Sequence, residues 1–186
     1  MIEIAGIAGS LRQGSYNRAL LCAAAELMPE GAAMSVLSID DVPLYHGDVE
    51  ATSGIPAAVA ALKSGIERAR GLVIATPEYN GGIPGVLKNA IDWASRPASD
   101  IPRIFYGKPV ALMGATPGGG GTILSQTGWL QVLRNLRVRL WVAQGPLYVS
   151  GAAKVFDASG LIDAELRERL RKYMATFVEE VRGAAS

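Results

Sequence analysis

Short apolar segments alternate with longer segments of helical periodicity along most of the chain. The apolar segments predict five β-strands, at residues 2–8, 34–39, 71–75, 109–114 and 138–142. The helical segments predict five helices, at residues 17–28, 56–70, 84–95, 122–136 and 163–182. The last helix begins at Asp163 and ends at Arg182 and Gly183, which suits the helix dipole and the preference for glycine after a helix.

This alternation of strands and helices predicts βαβ units and a parallel sheet. The segments 71–75 and 109–114 are apolar throughout, as strands that are buried on both faces require. Right-handed crossovers then give an α/β fold, a doubly wound five-stranded parallel sheet with helices on both faces. Ligands bind to such sheets beyond the carboxyl ends of the strands, where the strand order reverses. The loops after the first, third and fourth strands are therefore the candidate site.

The composition is that of one globular domain over residues 1–186. The chain is 49% hydrophobic with a formal net charge of +1, which excludes a disordered protein and a dedicated nucleic-acid binder. Cys22 is the single cysteine and His46 the single histidine, so we expect no internal disulfide and no metal site. We expect Cys22 to be a buried structural thiol in the first helix and His46 to lie at the surface.

Neither a membrane-spanning segment nor a signal peptide is expected. No apolar stretch approaches ~18 uncharged residues, the length that spans a bilayer. The first residues, Met1 to Ala5, include no basic segment ahead of the apolar run. We therefore expect a cytoplasmic protein that has no membrane partner.

The loop after the first strand, residues 9–17, predicts a phosphate site. It leads into a helix, and the first turn of a helix offers unpaired N–H groups and a partial positive charge. Ser10, Ser15 and Asn17 add short polar side chains, and Arg12 adds a cation. The alternative is an ordinary loop in which Ser15 or Asn17 caps the helix. Since neither G-x-G-x-x-G nor G-K-[ST] is present, the expected ligand group is a terminal phosphate monoester.

The loops after the third and fourth strands predict a site for a planar ring. Residues 77–84 have prolines at both ends and two adjacent glycines between them, so main-chain groups are exposed to a ligand there. The Asn80 amide and the Tyr79 ring add a polar group and an aromatic face. The alternative is a plain loop bounded by proline and glycine, in which Glu78 is only solvated. Four successive glycines at 118–121 indicate either close approach to a flat ligand or mobility alone.

Two motifs of the chain resemble the signatures of the NADPH-dependent FMN reductase family, which includes chromate and quinone reductases. They are Gly9-Ser10-Leu11-Arg12 with Ser15 and Asn17, and Pro77-Glu78-Tyr79-Asn80 with Pro84-Gly85 and LKNAIDW at 87–93. They occur in the family's order, and the similarity extends from residue 2 to the last helix. The resemblance implies a flavodoxin-like fold, which agrees with the sheet predicted above.

The resemblance also implies a bound FMN, which takes a hydride from NAD(P)H and reduces a quinone, chromate, an azo compound or a ferric complex. The residues that it implies for the phosphate are Ser10, Arg12, Ser15, Tyr16 and Asn17. Those that it implies for the flavin ring are Pro77, Glu78, Tyr79, Asn80 and Gly81, with Thr116, Pro117, Gly118 and Gly119 over the far side. No catalytic side chain is implied, because the flavin carries the chemistry.

The resemblance further implies a homodimer or homotetramer, with Asp92 and Trp93 near an interface. In one respect the chain departs from the family: Gly82 stands where relatives commonly have a small hydroxyl residue, so that side-chain hydrogen bond to the flavin is not expected. Two alternatives to an enzyme stay open, a flavodoxin-type electron carrier and a redox-sensing flavin-binding module. Carriers usually present an acidic docking surface, which a net charge of +1 does not favour.

Overall fold

The computed structural model describes residues 1–184 and contains the predicted parallel sheet. Its strands are β1 (Ile2–Ala8), β2 (Ala32–Leu37), β3 (Gly71–Ala75), β4 (Pro109–Ala115), β5 (Arg139–Leu140) and β6 (Leu147–Val149). The order is β2-β1-β3-β4-β5, all pairs are parallel, and β6 also pairs with β4. The chain goes from β1 outward to β2 and then crosses to β3 on the other side of β1. The switch in strand order therefore lies between β1 and β3, as a doubly wound sheet requires.

Helices cover both faces of this sheet, as predicted. They are α1 (Tyr16–Glu26), α2 (Gly47–Ser53), α3 (Ala57–Arg68), α4 (Gly85–Ala94), α5 (Ile101–Phe105), α6 (Ile123–Asn135), α7 (Ala152–Val155) and α8 (Ala164–Gly183). A small antiparallel hairpin, β7 (Phe156–Asp157) and β8 (Gly160–Leu161), precedes α8. One apolar core lies under α1 and α8 and includes Leu20, Leu21 and Phe177. The other lies under α3, α4 and α6 and includes Ile66, Leu87 and Trp129.

The predicted fifth strand, 138–142, is shortened to β5, and the sheet has a sixth strand, β6, that was not predicted. β5 pairs only with Pro109 and Val110 at the start of β4. The chain then turns, and β6 pairs with the other half of β4, from Met113 to Ala115. At the turn, the Trp141 N–H still donates to the Val110 carbonyl of β4 over 2.9 Å. Its side chain packs against α8, with its ring centroid 4.8 Å from that of Tyr173.

Cys22 is exposed, so the prediction of a buried thiol is wrong. The residues four positions away on either side are Arg18 and Glu26, which are half-buried and exposed. Because residues at this spacing share one face of a helix, Cys22 lies on the solvent side of α1. His46 is exposed, as predicted, and its Nδ1 accepts the Asp48 N–H at the start of α2.

Trp93 is buried within the chain itself, contrary to its predicted place at an interface. Its Nε1 donates to the Pro43 carbonyl over 2.9 Å, and its ring meets that of Tyr45 at 4.9 Å between centroids. The segment after β2 therefore folds over α4 and covers the indole. Asp92 is half-buried and forms an ion pair with Lys88 at 2.7 Å.

Within residues 1–184, no helix combines the length and apolar character needed to cross a membrane. The same part of the chain contains no cluster of three or more His, Cys, Asp or Glu side chains that could hold a metal ion.

Candidate functional site

Three loops meet at the carboxyl edge of the sheet, as the sequence predicts. They are named here loop A (residues 9–15), loop B (76–84) and loop C (116–122), and they follow β1, β3 and β4. The Gly9 N–H donates to the Ala75 carbonyl over 2.9 Å, which joins the start of loop A to the end of β3. The Tyr79 hydroxyl donates a long hydrogen bond of 3.5 Å to Ser10 Oγ and joins loops A and B again.

Gly9 is needed for this close approach. A Cβ atom at position 9 would lie 2.6 Å from a methyl group of Leu87 and 2.9 Å from the Pro77 ring. Pro77 is itself buried in this contact. Its ring therefore packs loop B against loop A, and a contact of Pro77 with the flavin ring stays a prediction.

At the end of loop A, a side chain caps α1, and two backbone N–H groups of the first turn of α1 stay without a partner in residues 1–184. Ser15 Oγ accepts the Arg18 N–H over 3.2 Å, so Ser15 is the N-cap of α1, as the plain-loop alternative predicts. Ser10 Oγ accepts the Arg12 N–H over 3.4 Å. The backbone N–H groups of Tyr16 and Asn17 have no partner within residues 1–184. They are the unsatisfied first-turn donors that bind anions in other helices.

Arg12 is an exposed cation beside these donors. Its guanidinium carbon lies 5.6 Å from the centroid of the Tyr16 ring, a cation–π distance that keeps it close to the first turn of α1. No carboxylate pairs with it in the described part of the chain. Arg18, the third residue of α1, differs in this respect because it forms an ion pair with Asp40 at 2.9 Å.

The structure gives the Asn17 side chain a role other than the predicted phosphate contact. The amide is buried, its Nδ2 donates to the Ala115 carbonyl and its Oδ1 accepts the Ala115 N–H, each over 2.9 Å. This reciprocal pair clamps the start of α1 to the end of β4. Since the oxygen and one amide N–H are engaged, at most one N–H remains for a ligand.

Loop B contains a tight turn that the sequence analysis missed. Asn80 and Gly81 have φ values of 51° and 69°. The N–H groups of Tyr79 and Gly82 each donate to the other residue's carbonyl, over 3.2 Å and 3.0 Å. These are the features of a two-residue type I′ hairpin turn, for which the dipeptide Asn-Gly is a strong local signal. The turn leaves Tyr79, Asn80 and Gly81 exposed.

A buried hydroxyl network joins the base of loop B to α6. Thr76 Oγ1 lies 2.9 Å from Ser125 Oγ and accepts the Trp129 Nε1–H over 3.0 Å. Above it, the Glu78 carboxylate accepts backbone N–H groups of α6, from Leu124 over 2.9 Å and from Ser125 over 3.2 Å. Glu78 is therefore bound to a helix, whereas the plain-loop alternative left it solvated. Ser125 and Trp129 were missed because no local motif marks them.

Loop C is joined to a segment that the sequence analysis did not connect with it. The Thr116 carbonyl accepts the Ala152 N–H over 2.9 Å, and the Gly118 carbonyl accepts the Gly151 N–H over 3.1 Å. The first three residues of the glycine run are exposed and have open space where a side chain would be, whereas Gly121 has a φ of 55° and packs on Tyr148. The run thus combines an open surface with a turn that requires glycine.

Residues 2–154 match the model of the NADPH-dependent FMN reductase family. The chain belongs to this family. An NAD(P)H-dependent FMN reductase of Pseudomonas aeruginosa is 42% identical to it over 186 residues, which cover 98% of each chain. A 2-hydroxy-1,4-benzoquinone reductase of a Burkholderia species is 38% identical over 179 residues, 96% of this chain and 93% of the relative.

Solved structures agree with this membership. FerB of Paracoccus denitrificans, a flavoenzyme NAD(P)H:(acceptor) oxidoreductase, is 30% identical, with a TM-score of 0.87 over 99% of both chains. A WrbA-like flavodoxin of Agrobacterium tumefaciens is 17% identical with a TM-score of 0.65, and shows the fold. The expectations of a flavodoxin-like fold, an oxidoreductase, and FMN with NAD(P)H as the cofactors of the family are confirmed.

Proposed function

We propose that this chain is an NAD(P)H-dependent quinone reductase that holds FMN where loops A, B and C meet. The observation that carries the proposal is the pairing of an uncompensated cation and free first-turn N–H groups in loop A with an exposed turn in loop B. Both stand at the strand-order switch, where the doubly wound fold binds ligands. The donors of loop A fit the phosphate of FMN, and the exposed turn of loop B fits the edge of its ring.

Loop A holds the phosphate in this proposal. Arg12 supplies a charge-assisted contact, and the N–H groups of Tyr16 and Asn17 supply backbone donors. Ser10 and Ser15 are buried at the base of the loop, where Ser15 also caps α1. Asn17 contributes through its backbone N–H and through the clamp to β4 that fixes α1, which revises the predicted side-chain contact.

Loops B and C hold the ring. The backbone N–H groups of Asn80 and Gly81 have no partner within residues 1–184 and can donate to the heteroatoms of the ring edge. If these N–H groups face the ring edge where negative charge develops on reduction, they stabilise that charge as the donors of an oxyanion hole do. Tyr79 supplies an aromatic face. Loop C covers the far side from Thr116, which is half-buried, to Gly119, which is exposed. When bound, FMN supplies the hydride chemistry, while the chain binds, orients and shields it.

The rim of this site favours an apolar acceptor. Leu11 in loop A, Tyr79 in loop B and Leu124 at the start of α6 are 45%, 52% and 56% exposed. Leu124 lies beside the turn of loop B, since a Cβ atom at Gly81 would be 3.4 Å from its methyl group. A flat quinone can bury this apolar surface, whereas a chromate anion cannot. Reduction of chromate, azo compounds and ferric complexes stays a prediction.

Replacing Leu124 with serine is expected to lower kcat/KM for an apolar naphthoquinone by about fivefold, because roughly 1 kcal/mol of apolar contact is lost. The rate with ferricyanide and the affinity for FMN are expected to stay unchanged. Steady-state kinetics with both acceptors test this. Leu130→Ser is the matched control, since Leu130 is 41% exposed on a different side of α6. An equal loss with both acceptors would contradict the role of Leu124 in acceptor choice.

Absorption spectroscopy of the purified protein, loaded with FMN, tests the function itself. We expect the flavin bands to bleach when NAD(P)H is added under anaerobic conditions and to return when a quinone follows. A one-electron carrier would bind FMN but show almost no steady-state oxidation of NAD(P)H, and a sensor module would show negligible turnover without its partner. Protein that takes up no FMN would refute the proposal.

A homodimer or homotetramer and a cytoplasmic location stay predictions. Because Trp93 is buried, the surface near α4 that is open to a second copy is formed by Leu44 and Val49, which are 83% and 44% exposed. Their segment is fixed to α4 through Asn89, whose Oδ1 accepts the Tyr45 N–H over 2.9 Å. Size-exclusion chromatography with light scattering measures the oligomeric state.

A further inference from the structure

The residue at the N-cap position of α6 does not cap the helix with its side chain. Thr122 occupies the N-cap position, with φ 68° and ψ 26°, and its hydroxyl bonds no N–H group of the first turn. That hydroxyl instead accepts the Gln126 Nε2–H over 3.0 Å and packs against Gly114. A helix that begins in this way leaves its first N–H groups to another partner.

Glu78 supplies the missing cap from loop B. A single carboxylate oxygen, Oε2, accepts both the Leu124 N–H and the Ser125 N–H, across 46 and 47 residues of sequence. The contact therefore requires one correctly placed acceptor atom, Oε2, and the other carboxylate oxygen, Oε1, takes no part in it. The negative charge also suits the positive end of the helix, although capping groups without charge serve as well.

This cap and the buried network of Thr76, Ser125 and Trp129 fix loop B to α6 at two levels. The Thr76 contacts lie at the base of the loop, and the Glu78 contacts lie two residues further, next to the turn at Asn80 and Gly81. Within the turn itself, the backbone hydrogen bonds found in residues 1–184 are the two between Tyr79 and Gly82. Without Glu78, the turn keeps its own two hydrogen bonds, but the part of loop B next to it loses its hydrogen bonds to the first turn of α6.

We propose that Glu78 is a positioning residue, which holds the Asn80–Gly81 turn in its ligand-binding place before FMN arrives. The inference rests on the proposed function, because that function assigns the flavin ring to loop B. Fixing a loop in its bound position strengthens binding, since the ligand does not have to order it. The role depends on the position of one oxygen atom and not on the charge of the side chain.

Four variants test this role through their affinity for FMN, measured by fluorescence quenching on the apoprotein. Glu78→Ala is expected to weaken binding about tenfold, and Glu78→Asp equally, because its oxygen falls one methylene short of α6. Glu78→Gln is expected to stay near the wild type, because its amide oxygen can accept both N–H groups. Asp163→Ala is the matched control. It removes the cap of α8, a hydrogen bond of 2.7 Å from the Leu166 N–H, without touching loops A to C.

Amide hydrogen exchange on the apoprotein gives a second readout that needs no flavin. Residues 123–126 are expected to exchange faster in Glu78→Ala and Glu78→Asp than in the wild type and Glu78→Gln. The proposal is overturned if Glu78→Gln binds FMN as weakly as Glu78→Ala, if Glu78→Asp binds more tightly than Glu78→Gln, or if Asp163→Ala loses as much affinity. A wild type that binds no FMN would refute the proposed function instead, and the exchange rates would still decide whether Glu78 holds α6.

Discussion

Replacing Arg12 with alanine is expected to weaken FMN binding by about ten- to a hundredfold, the range that one or two charge-assisted hydrogen bonds provide. Arg12 is exposed and, within residues 1–184, has no carboxylate partner to lose when a phosphate binds. The measurement is a fluorescence titration of the apoprotein with FMN at low and at high salt. The difference between the variant and the wild type should shrink as salt screens the charge.

Arg18→Ala is the control for this prediction, because Arg18 is a nearby arginine in α1 that is already paired with Asp40. We expect it to bind FMN as the wild type does. Once the Arg12 variant is saturated with FMN, its flavin should be reduced by NAD(P)H at the wild-type rate, since the proposal assigns Arg12 to the phosphate and not to the ring. An Arg12 variant that retains wild-type affinity would show that the phosphate lies elsewhere.

Replacing Gly114 with alanine is expected to destabilise the fold by on the order of 3 kcal/mol, the upper part of the range for overpacking a core. The new methyl group would overlap Thr122 Oγ1 and lie 2.5 Å from the Thr76 carbonyl oxygen. Neither neighbour can move freely, because Thr122 is buried at the start of α6 and the Thr76 carbonyl is backbone. Thermal unfolding should show a drop of roughly 10 °C for a chain of this length.

Gly118→Ala provides the comparison for Gly114→Ala. Apart from its chain neighbours, no atom of residues 1–184 lies within 4 Å of a Cβ at position 118, and the φ of that residue is not positive. Its melting temperature should therefore equal or slightly exceed that of the wild type, since alanine reduces the entropy of the unfolded chain. Equal losses at 114 and 118 would mean that loop C does not pack on β4 as described.

Local features of the chain were predictable because neighbours in sequence decide them. The apolar segments at 2–8, 71–75 and 109–114 gave β1, β3 and β4 nearly as they are, because strands buried on both faces have an unmistakable composition. The cap at Ser15 follows from its place before an apolar helix. The turn at Asn80 was equally local and was missed, although the Asn-Gly pair marks it.

Short elements were not predictable, because periodicity needs length. α2 and α5 have seven and five residues, and β6 has three. None of them spans enough turns or alternations to show a pattern above the background. The division of the sheet edge between β5 and β6 depends on Trp141, whose burial against α8 involves residues far along the chain.

The alternation of strands and helices follows from the pattern of apolar positions, because hydrophobic burial acts on neighbouring residues, and it also identifies the sheet edge to which we assign the flavin. The two motifs of the FMN reductase family are likewise local. The roles of Asn17 and Glu78 depend instead on contacts between distant parts of the chain. Asn17 meets Ala115 across 98 residues, and Glu78 meets Leu124 across 46. Such partners are brought together by the strand order of the sheet, and a polar side chain in a loop has no local property that reveals which backbone group it will find.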